Sequence, residues 1–314
     1  MTGSRRCLLG AAIGVVFALL GAQVAQAAAP SVSTGAPTGV SYVTATLNGV
    51  INPHGTDTSY YFQYGPNKAY GSQTALADAG AGTSAVKVSL PVSGLSPFSV
   101  YHYRLVALSS AGAATGADRS FKTARVPLSV GILAAPNPVP YGGTATIQGT
   151  VSGTGNAGIA VVLQSNPFPY TQGFLNLGNA ELTNAAGGFS FPVTGLMQAT
   201  QFRVITATKS VVVSPVVIEG VAVNVTAHVH RTHRRHRVRI YGTVTPAESG
   251  MEVAIMRVLH GRNILVAGTI LHHHSTTSSV YSHVVRIVPG VYRVLVKVTD
   301  GAHSSAYSEP MRIR

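Results

Sequence analysis

The sequence predicts an all-β fold, organised as three tandem β-sandwiches that follow an N-terminal export signal. Three observations indicate this organisation. The chain is rich in small and β-branched residues, with 34 Gly, 17 Pro and no Trp. Short β-branched runs alternate with Gly, Pro and Asn clusters, as in strands joined by turns. A strand motif built around a glycine recurs at a spacing close to the size of one sandwich.

The N-terminus has the order of a secretory signal peptide. Arg5 and Arg6 precede an apolar and glycine run from Leu8 to Ala22, and a small-residue triplet follows that ends at Ala27. We therefore expect a signal peptide over residues 1–27 that is removed after export. The charged start is compatible with both the general secretory route and the twin-arginine route.

Cysteine usage and hydropathy indicate whether the mature chain can form disulfides, bind metals through cysteine or span a membrane. Cys7 is the single cysteine of the sequence and lies inside the leader. We therefore expect no disulfide and no cysteine ligand after cleavage. No second long apolar stretch follows the leader, so no membrane span is expected in the mature protein.

Self-comparison of the chain locates three related segments. Each contains a predicted strand in which a glycine is followed directly by β-branched residues. These glycines, Gly49, Gly149 and Gly242, are 100 and 93 residues apart. This spacing matches one sandwich per repeat. It predicts a cleaved leader over 1–27 and domains over 30–125, 126–220 and 221–314.

The first domain resembles a fibronectin type III domain of the kind found in secreted bacterial proteins. The stretch from Leu95 to Ala107 is similar to the family pattern L-x-P-x-T-x-Y-x-x-R-V-x-A, and the resemblance covers residues 38–124. Leu47 stands where the animal family has a tryptophan. The resemblance implies a tyrosine corner, in which Tyr101 packs its ring under the sandwich and its hydroxyl bonds to backbone near Leu95.

Residues 126–314 resemble two bacterial immunoglobulin-like repeats. In the first repeat, the stretch from Thr183 to Phe191 predicts a hairpin that returns into an alternating strand. In the second repeat, Val221–Val229 and Val238–Val244 predict two strands that are joined by residues 230–236. Immunoglobulin-like sandwiches are the fold that this resemblance implies for both repeats.

The distribution of carboxylates gives little support to catalysis. The mature chain has nine acidic residues, and the closest pair, Glu248 and Glu252, flanks a turn rather than a cleft. Acid–base catalysis requires paired carboxylates or a histidine that a carboxylate orients. We expect solvated carboxylates, no catalytic residues, no enzyme activity and no cofactor.

Positive charge is concentrated in the third domain. The three domains contain 6, 2 and 12 basic residues against 3, 2 and 4 acidic residues. The stretch HVHRTHRRHRVRIYG, residues 228–242, contributes a large share of this excess. Its arginines Arg231, Arg234, Arg235 and Arg237 suggest binding to an anionic surface, and the alternative is a solvated turn without a partner.

The same stretch contains four histidines, His228, His230, His233 and His236. Two or three imidazoles can hold zinc, copper or nickel, and the run His272-His273-His274 is a second candidate. The interleaved arginines would repel a cation, and no carboxylate lies nearby in the sequence to complete the ligand shell. We expect no dedicated metal site, with the four histidines as the alternative.

Together these features predict an exported, non-enzymatic protein that acts as a cell-surface or extracellular spacer, adhesion or interaction module. The partner is unknown. Anionic polymers of a cell envelope or matrix fit the basic stretch better than nucleic acid does, because export separates the protein from cytoplasmic nucleic acid. The alternative is a carbohydrate-binding accessory protein of an extracellular polysaccharide-processing system. Its aromatic surface would be formed by Tyr60, Tyr61, Phe62, Tyr64 and Tyr70.

Overall fold

The computed structural model describes residues 28–234 and 236–314. All regular elements in these residues are β-strands, which confirms the predicted all-β fold. The expected signal peptide over residues 1–27 lies outside the described residues, as does Arg235. In the described ranges, no helix reaches the length and apolarity needed to cross a bilayer.

The first sandwich is formed by nine strands. They are β1 (Ser31–Thr34), β2 (Ala45–Asn52), β3 (Thr58–Gly65), β4 (Ser72–Gln73), β5 (Ala77–Gly80), β6 (Val86–Val92), β7 (Val100–Ser109), β8 (Gly112–Thr115) and β9 (Arg119–Lys122). One sheet has the order β1-β2-β6. The other has the order β4-β3-β7-β8, with β5 also pairing with β3 and β9 with β7.

The second sandwich repeats this arrangement. Its strands are β10 (Ser129–Ala135), β11 (Val139–Pro140), β12 (Gly143–Ser152), β13 (Ala160–Pro167), β14 (Leu175–Asn176), β15 (Glu181–Leu182), β16 (Gly188–Leu196), β17 (Thr200–Thr206) and β18 (Val217–Glu219). One sheet has the order β10-β12-β16. The other has the order β14-β13-β17-β18, with β15 also pairing with β13.

The third sandwich contains the basic stretch. Its strands are β19 (Val221–Ala222), β20 (Asn224–Val225), β21 (His228–Arg231), β22 (Arg237–Thr245), β23 (Glu252–Leu259), β24 (Arg262–Ile270), β25 (His272–His273), β26 (Ser279–Arg286), β27 (Gly290–Lys297), β28 (Ala306–Tyr307) and β29 (Met311–Ile313). One sheet has the order β20-β22-β26-β25 with β21 on β22. The other has the order β24-β23-β27-β28 with β29 on β27.

Each sandwich has its own apolar core, because alternate residues of the facing strands point inward. Strand β2 illustrates the pattern, since every second residue from Ala45 to Ile51 is buried. The largest buried side chains of the three cores include Phe62 and Leu105, then Ile147 and Phe202, then Ile255 and Tyr292.

The structure places Tyr101 at the start of β7, as the family resemblance implies. Its hydroxyl accepts a hydrogen bond of 2.9 Å from the Ser96 N–H, and its ring stacks on Phe121 at 5.9 Å. The third sandwich has a comparable tyrosine, for which the sequence did not predict a corner. The Tyr292 hydroxyl donates to the Val288 carbonyl at 2.7 Å, so both end sandwiches tie this strand to the turn before it.

The repeated glycine marks a point where no side chain fits. A Cβ atom on Gly149 would overlap the carbonyl oxygen of Gly131 on the neighbouring strand β10. A Cβ on Gly242 would overlap the carbonyl oxygen of Thr226 and approach the Tyr281 hydroxyl oxygen to 2.8 Å. At Gly49, the equivalent atom would lie 2.9 Å from the Ser33 carbonyl oxygen. In every sandwich the chain entering the domain therefore passes directly over this glycine.

The chain divides into two compact units, one ending at Ala124 and the other covering Arg125–Arg314. The second unit contains two sandwiches that share backbone hydrogen bonds. Strand β19 pairs in parallel with β11, and the Ser304 N–H donates to the Val221 carbonyl at 2.7 Å. Val221 is buried in the core of the second sandwich. The division at residues 220 and 221 stays a prediction.

Two sequence-based strand predictions are wrong in detail. The segment from Thr183 to Phe191 is not a hairpin, because β15 pairs with β13 and β16 pairs with β12 in the other sheet. The Asn184 side chain forms the turn between the sheets by accepting the N–H groups of Ala186 and Gly188. Residues 221–229 do not form one strand, because β19 bonds to the second sandwich while β20 and β21 bond to β22.

We predict that Gly242→Ala destabilises the second unit by about 1–3 kcal/mol, the usual cost of overpacking a filled site. The Cβ atom would displace the Thr226 carbonyl and the Tyr281 hydroxyl. Gly268→Ala is the matched control, because the nearest atom to its new Cβ is 3.9 Å away. Thermal unfolding should show a clear loss for the first variant and no loss for the second. Equal melting of the two variants would contradict the close approach.

A second prediction concerns Glu219, which ends β18 and has no solvent exposure. Burial raises the pKa of its carboxyl group to about 7. The nearby Val139 backbone N–H offsets this rise only in part, because neither carboxylate oxygen has a hydrogen-bond partner. A raised carboxyl pKa means that the folded state binds the proton more tightly than the unfolded state. Its contribution to stability is therefore present at pH 4 and lost as pH rises through 7.

Glu219→Gln should accordingly be more stable than the wild type at pH 8, with a difference that shrinks towards pH 4. Each pKa unit corresponds to about 1.4 kcal/mol. The measurement is the unfolding midpoint against pH, with Glu309→Gln at an exposed carboxylate as the control. A constant offset between Glu219→Gln and the wild type across this range would show that Glu219 does not titrate in its buried site.

Candidate functional site

The basic stretch forms a hairpin whose tip is held by hydrogen bonds. Strands β21 and β22 pair antiparallel, with Arg231 opposite Val238. The Thr232 hydroxyl donates to the Arg237 carbonyl at 2.9 Å, which closes the turn. His236 adopts a left-handed backbone conformation with φ of 57°, and its carbonyl accepts the Ile287 N–H at 3.0 Å. The tip is thereby fixed to the end of the neighbouring strand β26.

Three of the four predicted arginines meet at this tip. Arg231, Arg234 and Arg237 line a hollow of about 290 Å³, and the C-terminal Arg314 completes it. Arg314 was not among the residues that the sequence indicated. It reaches the tip because strand β29, which precedes it, lies in contact with β21. The other lining residues are Thr232, His236, Val238, Ile287 and Pro289. The lining contains no acidic side chain.

The arginines of the hollow have no carboxylate partners within ion-pair distance in the described part of the chain. Arg237 lies directly opposite Arg286 on β26, so two like charges face each other across the sheet. Like charges in this position repel each other. An anion that binds here would relieve this repulsion and would face no competing carboxylate.

A larger groove of about 880 Å³ lies on the outer face of the same sheet. His228 and His230 project into it from β21, since they are two residues apart on one strand, and His272 enters from β25. Arg239 and Tyr241 line it from β22. The rings of His228 and Tyr241 are 5.6 Å apart.

The inner side of the groove is fixed by a buried tyrosine. The Tyr281 hydroxyl donates to the Thr226 carbonyl at 2.7 Å, beside Gly242. Burial raises the pKa of Tyr281, so this hydroxyl keeps its proton and remains a donor. The hydrogen bond anchors the residues that lead into β21 and therefore the hairpin that carries the arginines.

The hairpin histidines are distributed between the two sites. His228 and His230 line the groove, whereas His236 lines the hollow with the arginines. The four histidines do not form a group of three ligand atoms within 4.8 Å, and neither does the run His272-His273-His274. The alternative metal site at His228, His230, His233 and His236 stays a prediction.

The aromatic residues of the first sandwich are largely internal. Tyr60, Phe62 and Tyr70 are buried, while Tyr61 and Tyr64 are partly exposed. The aromatic cluster thus presents only part of its area to a ligand. The Tyr70 hydroxyl donates to Asp118 at 3.0 Å rather than facing solvent.

The carboxylates depart from the expectation that all are solvated. Glu252 is exposed and pairs with Lys297 across β23 and β27, as expected for a surface charge. Glu248 is buried instead, because its turn packs against the junction with the second sandwich. In the first sandwich, His102 contacts Asp118 at 2.9 Å. Among the described residues, no hydroxyl group bonds to the other ring nitrogen of His102.

Comparison with known proteins finds matches among solved structures. No protein-family model and no curated protein matches the chain. A segment of titin is 16% identical over 91% of this chain and 99% of its own length, with a TM-score of 0.42. The FN1-FN3 domains of chicken CNTN1 are 13% identical over 90% of this chain and 98% of their own, with a TM-score of 0.33.

A further similar structure is a tetra-tandem repeat in the extending region of a large adhesion protein. It is 15% identical over 90% of this chain and 74% of its own length, with a TM-score of 0.29. The all-β sandwich architecture of this chain rests on the strand pairings described above.

Proposed function

We propose that this protein is an exported, non-enzymatic spacer and interaction module whose third sandwich binds anionic polymers of a cell envelope or extracellular matrix. The observation that carries the proposal is the hollow at the hairpin tip. Arg231, Arg234, Arg237 and Arg314 converge there without an acidic neighbour in its lining. Guanidinium groups pair with carboxylate, sulfate and phosphate oxygens through two parallel hydrogen bonds.

The shape of the surface favours an extended ligand over a small one. Arg237, Arg239 and Tyr241 alternate along β22 and are all exposed, so they line one face. Successive residues on such a face stand about 7 Å apart. The hollow and the groove are therefore neighbours along one strand, and a polymer with repeated negative charges can contact both.

The scaffold supports a spacer role. Three sandwiches follow one another along the chain, and the linker between the second and third is hydrogen-bonded on both sides rather than free. A hydrogen-bonded linker restricts the relative orientation of the two sandwiches that it joins. Restricted orientation suits a spacer that holds a binding surface at a fixed position. The carbohydrate-binding alternative is less well supported, because Tyr60 and Phe62 belong to the core.

We predict that replacing Arg231, Arg234, Arg237 and Arg314 with Ser removes most binding of the full chain to heparin as an anionic probe. A matched control replaces Lys87, Arg119, Lys209 and Arg262, which are exposed and scattered over the surface. The control changes the net charge equally, so retained binding in the control separates a local site from bulk charge. The measurement is the heparin dissociation constant against salt concentration.

Raising the salt concentration should weaken wild-type binding strongly, because the screening length falls from about 8 Å at physiological ionic strength to about 3 Å at 1 M. Changing His228, His230, His233 and His236 to Asn should have a smaller effect than the arginine replacements. Heparin binding that survives both the arginine replacements and high salt would overturn the proposal. Equal loss in the control variant would assign the binding to net charge alone.

A further inference from the structure

A compact group of three side chains lies where the third sandwich meets the second. Glu248 comes from the turn before β23, while Asp300 and His303 come from the loop between β27 and β28. The His303 Nδ1 atom lies 3.0 Å from a Glu248 oxygen and 2.6 Å from an Asp300 oxygen. One ligand atom from each of the three residues lies within 4.8 Å of the other two. It is the one such group of potential metal ligands among the described residues.

The orientation of His303 is set from the second sandwich. Its Nε2 atom donates to the Met197 carbonyl at 2.8 Å, and its ring lies 5.9 Å from the Tyr141 ring. The Nδ1 atom is thereby directed towards the two carboxylates. Histidines that bind metals commonly donate their other ring nitrogen to a backbone carbonyl in this way, which fixes the ring and its tautomer.

The two carboxylates are also held in place. One oxygen of Asp300 accepts the backbone N–H groups of Ala302 and His303, at 2.9 and 2.8 Å, which leaves the other oxygen for the cluster. The Glu248 side chain is only 8% exposed, and its backbone N–H donates to the buried Ser279 hydroxyl at 3.0 Å. In the described part of the chain, neither carboxylate is paired with a lysine or an arginine.

The charge of this arrangement is unusual for the protein. The full chain has 22 basic and 9 acidic residues, yet two of those acidic residues face each other across a single imidazole nitrogen. One nitrogen-bound proton cannot satisfy two carboxylate oxygens with good geometry at once. A divalent cation can bind both oxygens and the nitrogen, and it neutralises both negative charges in a partly buried site.

We propose that Glu248, Asp300 and His303 form a binding site for a divalent transition-metal cation of the zinc class. The metal would bind the lone pair of His303 Nδ1, and any proton on that nitrogen would be released to solvent. In a tetrahedral zinc site, bonds of about 2.0–2.2 Å place the ligand atoms roughly 3.3–3.6 Å apart. The two contacts to Nδ1 would have to open by under about 1 Å to reach this separation.

The donor set favours zinc over calcium or magnesium. The hard cations prefer shells made of oxygen alone, whereas one imidazole with two carboxylates suits zinc and its neighbours in the first transition row. Three protein ligands leave a fourth tetrahedral position for water. Asp300 and His303 are 24% and 11% exposed, so a cation can enter from solvent.

The site would reinforce the junction between the sandwiches. The loop that carries Asp300 and His303 also carries Ala302, whose carbonyl accepts the Ala199 N–H of the second sandwich at 2.7 Å. In the same loop, the Ser304 N–H donates to the Val221 carbonyl of β19 at 2.7 Å, and the Ser304 carbonyl accepts the N–H of Val223, just after β19, at 3.2 Å. A ligand that binds only the folded state stabilises it, so metal binding should raise the melting temperature of the second unit. This role is independent of the proposed polymer binding.

Calorimetric titration of the full chain with zinc chloride tests the proposal. Weak binding by the two histidine-rich stretches is removed beforehand by changing His228, His230, His233, His236, His272, His273 and His274 to Asn. We expect one zinc ion per chain in this background. Glu248→Gln and Asp300→Asn should each weaken its affinity about tenfold or more, and Glu252→Gln, at the neighbouring exposed glutamate, should leave it unchanged.

Thermal unfolding of the otherwise unmodified chain supplies a second measurement. Zinc should raise the unfolding midpoint of the wild type and of Glu252→Gln, and it should have little effect on Asp300→Asn. That variant keeps an amide oxygen for the backbone contacts of the loop, which favours folding. Absence of stoichiometric binding, binding that Glu248→Gln and Asp300→Asn leave unchanged, or a larger stabilisation by calcium than by zinc would each overturn the proposal.

Discussion

The fold depends on a close contact at one position of each sandwich, where the entering chain passes over a glycine of the second strand in the sheet. At Gly242 the carbonyl of Thr226 occupies the space that a side chain would need. The Tyr281 hydroxyl holds that carbonyl in place. Because Thr226 is fixed, the following strand β21 must run along β22. The tip that carries the arginines is therefore positioned by a contact in the middle of the sheet.

In the third sandwich, most acidic residues lie away from the hairpin, and this separation leaves the hairpin tip positively charged. Two of its four acidic residues, Glu248 and Asp300, are directed into the junction with the second sandwich. A third, Glu252, pairs with Lys297 on the adjacent strand, and both lie in the sheet that does not contain the hairpin. The arginines of the hairpin are consequently left without nearby compensation. An isolated group of guanidinium charges attracts anions more strongly than the same charges dispersed among carboxylates.

The sequence was sufficient to predict the strand content, the repeat and three of the arginines that meet at the tip. The repeat is visible because a steric requirement at Gly49, Gly149 and Gly242 allows one residue type only. The strand boundaries near residue 221 were not predictable, since apolar alternation does not reveal which sandwich supplies the pairing partner. Val221 packs in the core of the domain before it.

The contributions of Arg314 and of the junction cluster were also hidden in the sequence. Arg314 reaches the hollow because β29 pairs with β27 at the edge of the other sheet, far along the chain from β21. Glu248 and His303 belong to different turns of the third sandwich, and the antiparallel pairing of β23 with β27 brings these turns together. Contacts of this kind follow from topology, whereas composition and local pattern report only on neighbours in sequence.

If the third sandwich presents one localised anion-binding surface at its hairpin, heparin should protect that surface from backbone hydrogen exchange. Exchange of the full chain is measured with and without saturating heparin. We expect slower exchange in β21, β22 and strand β29, with unchanged exchange in the first sandwich. Protection confined to the first sandwich, or spread evenly over all three, would contradict a localised surface at the hairpin.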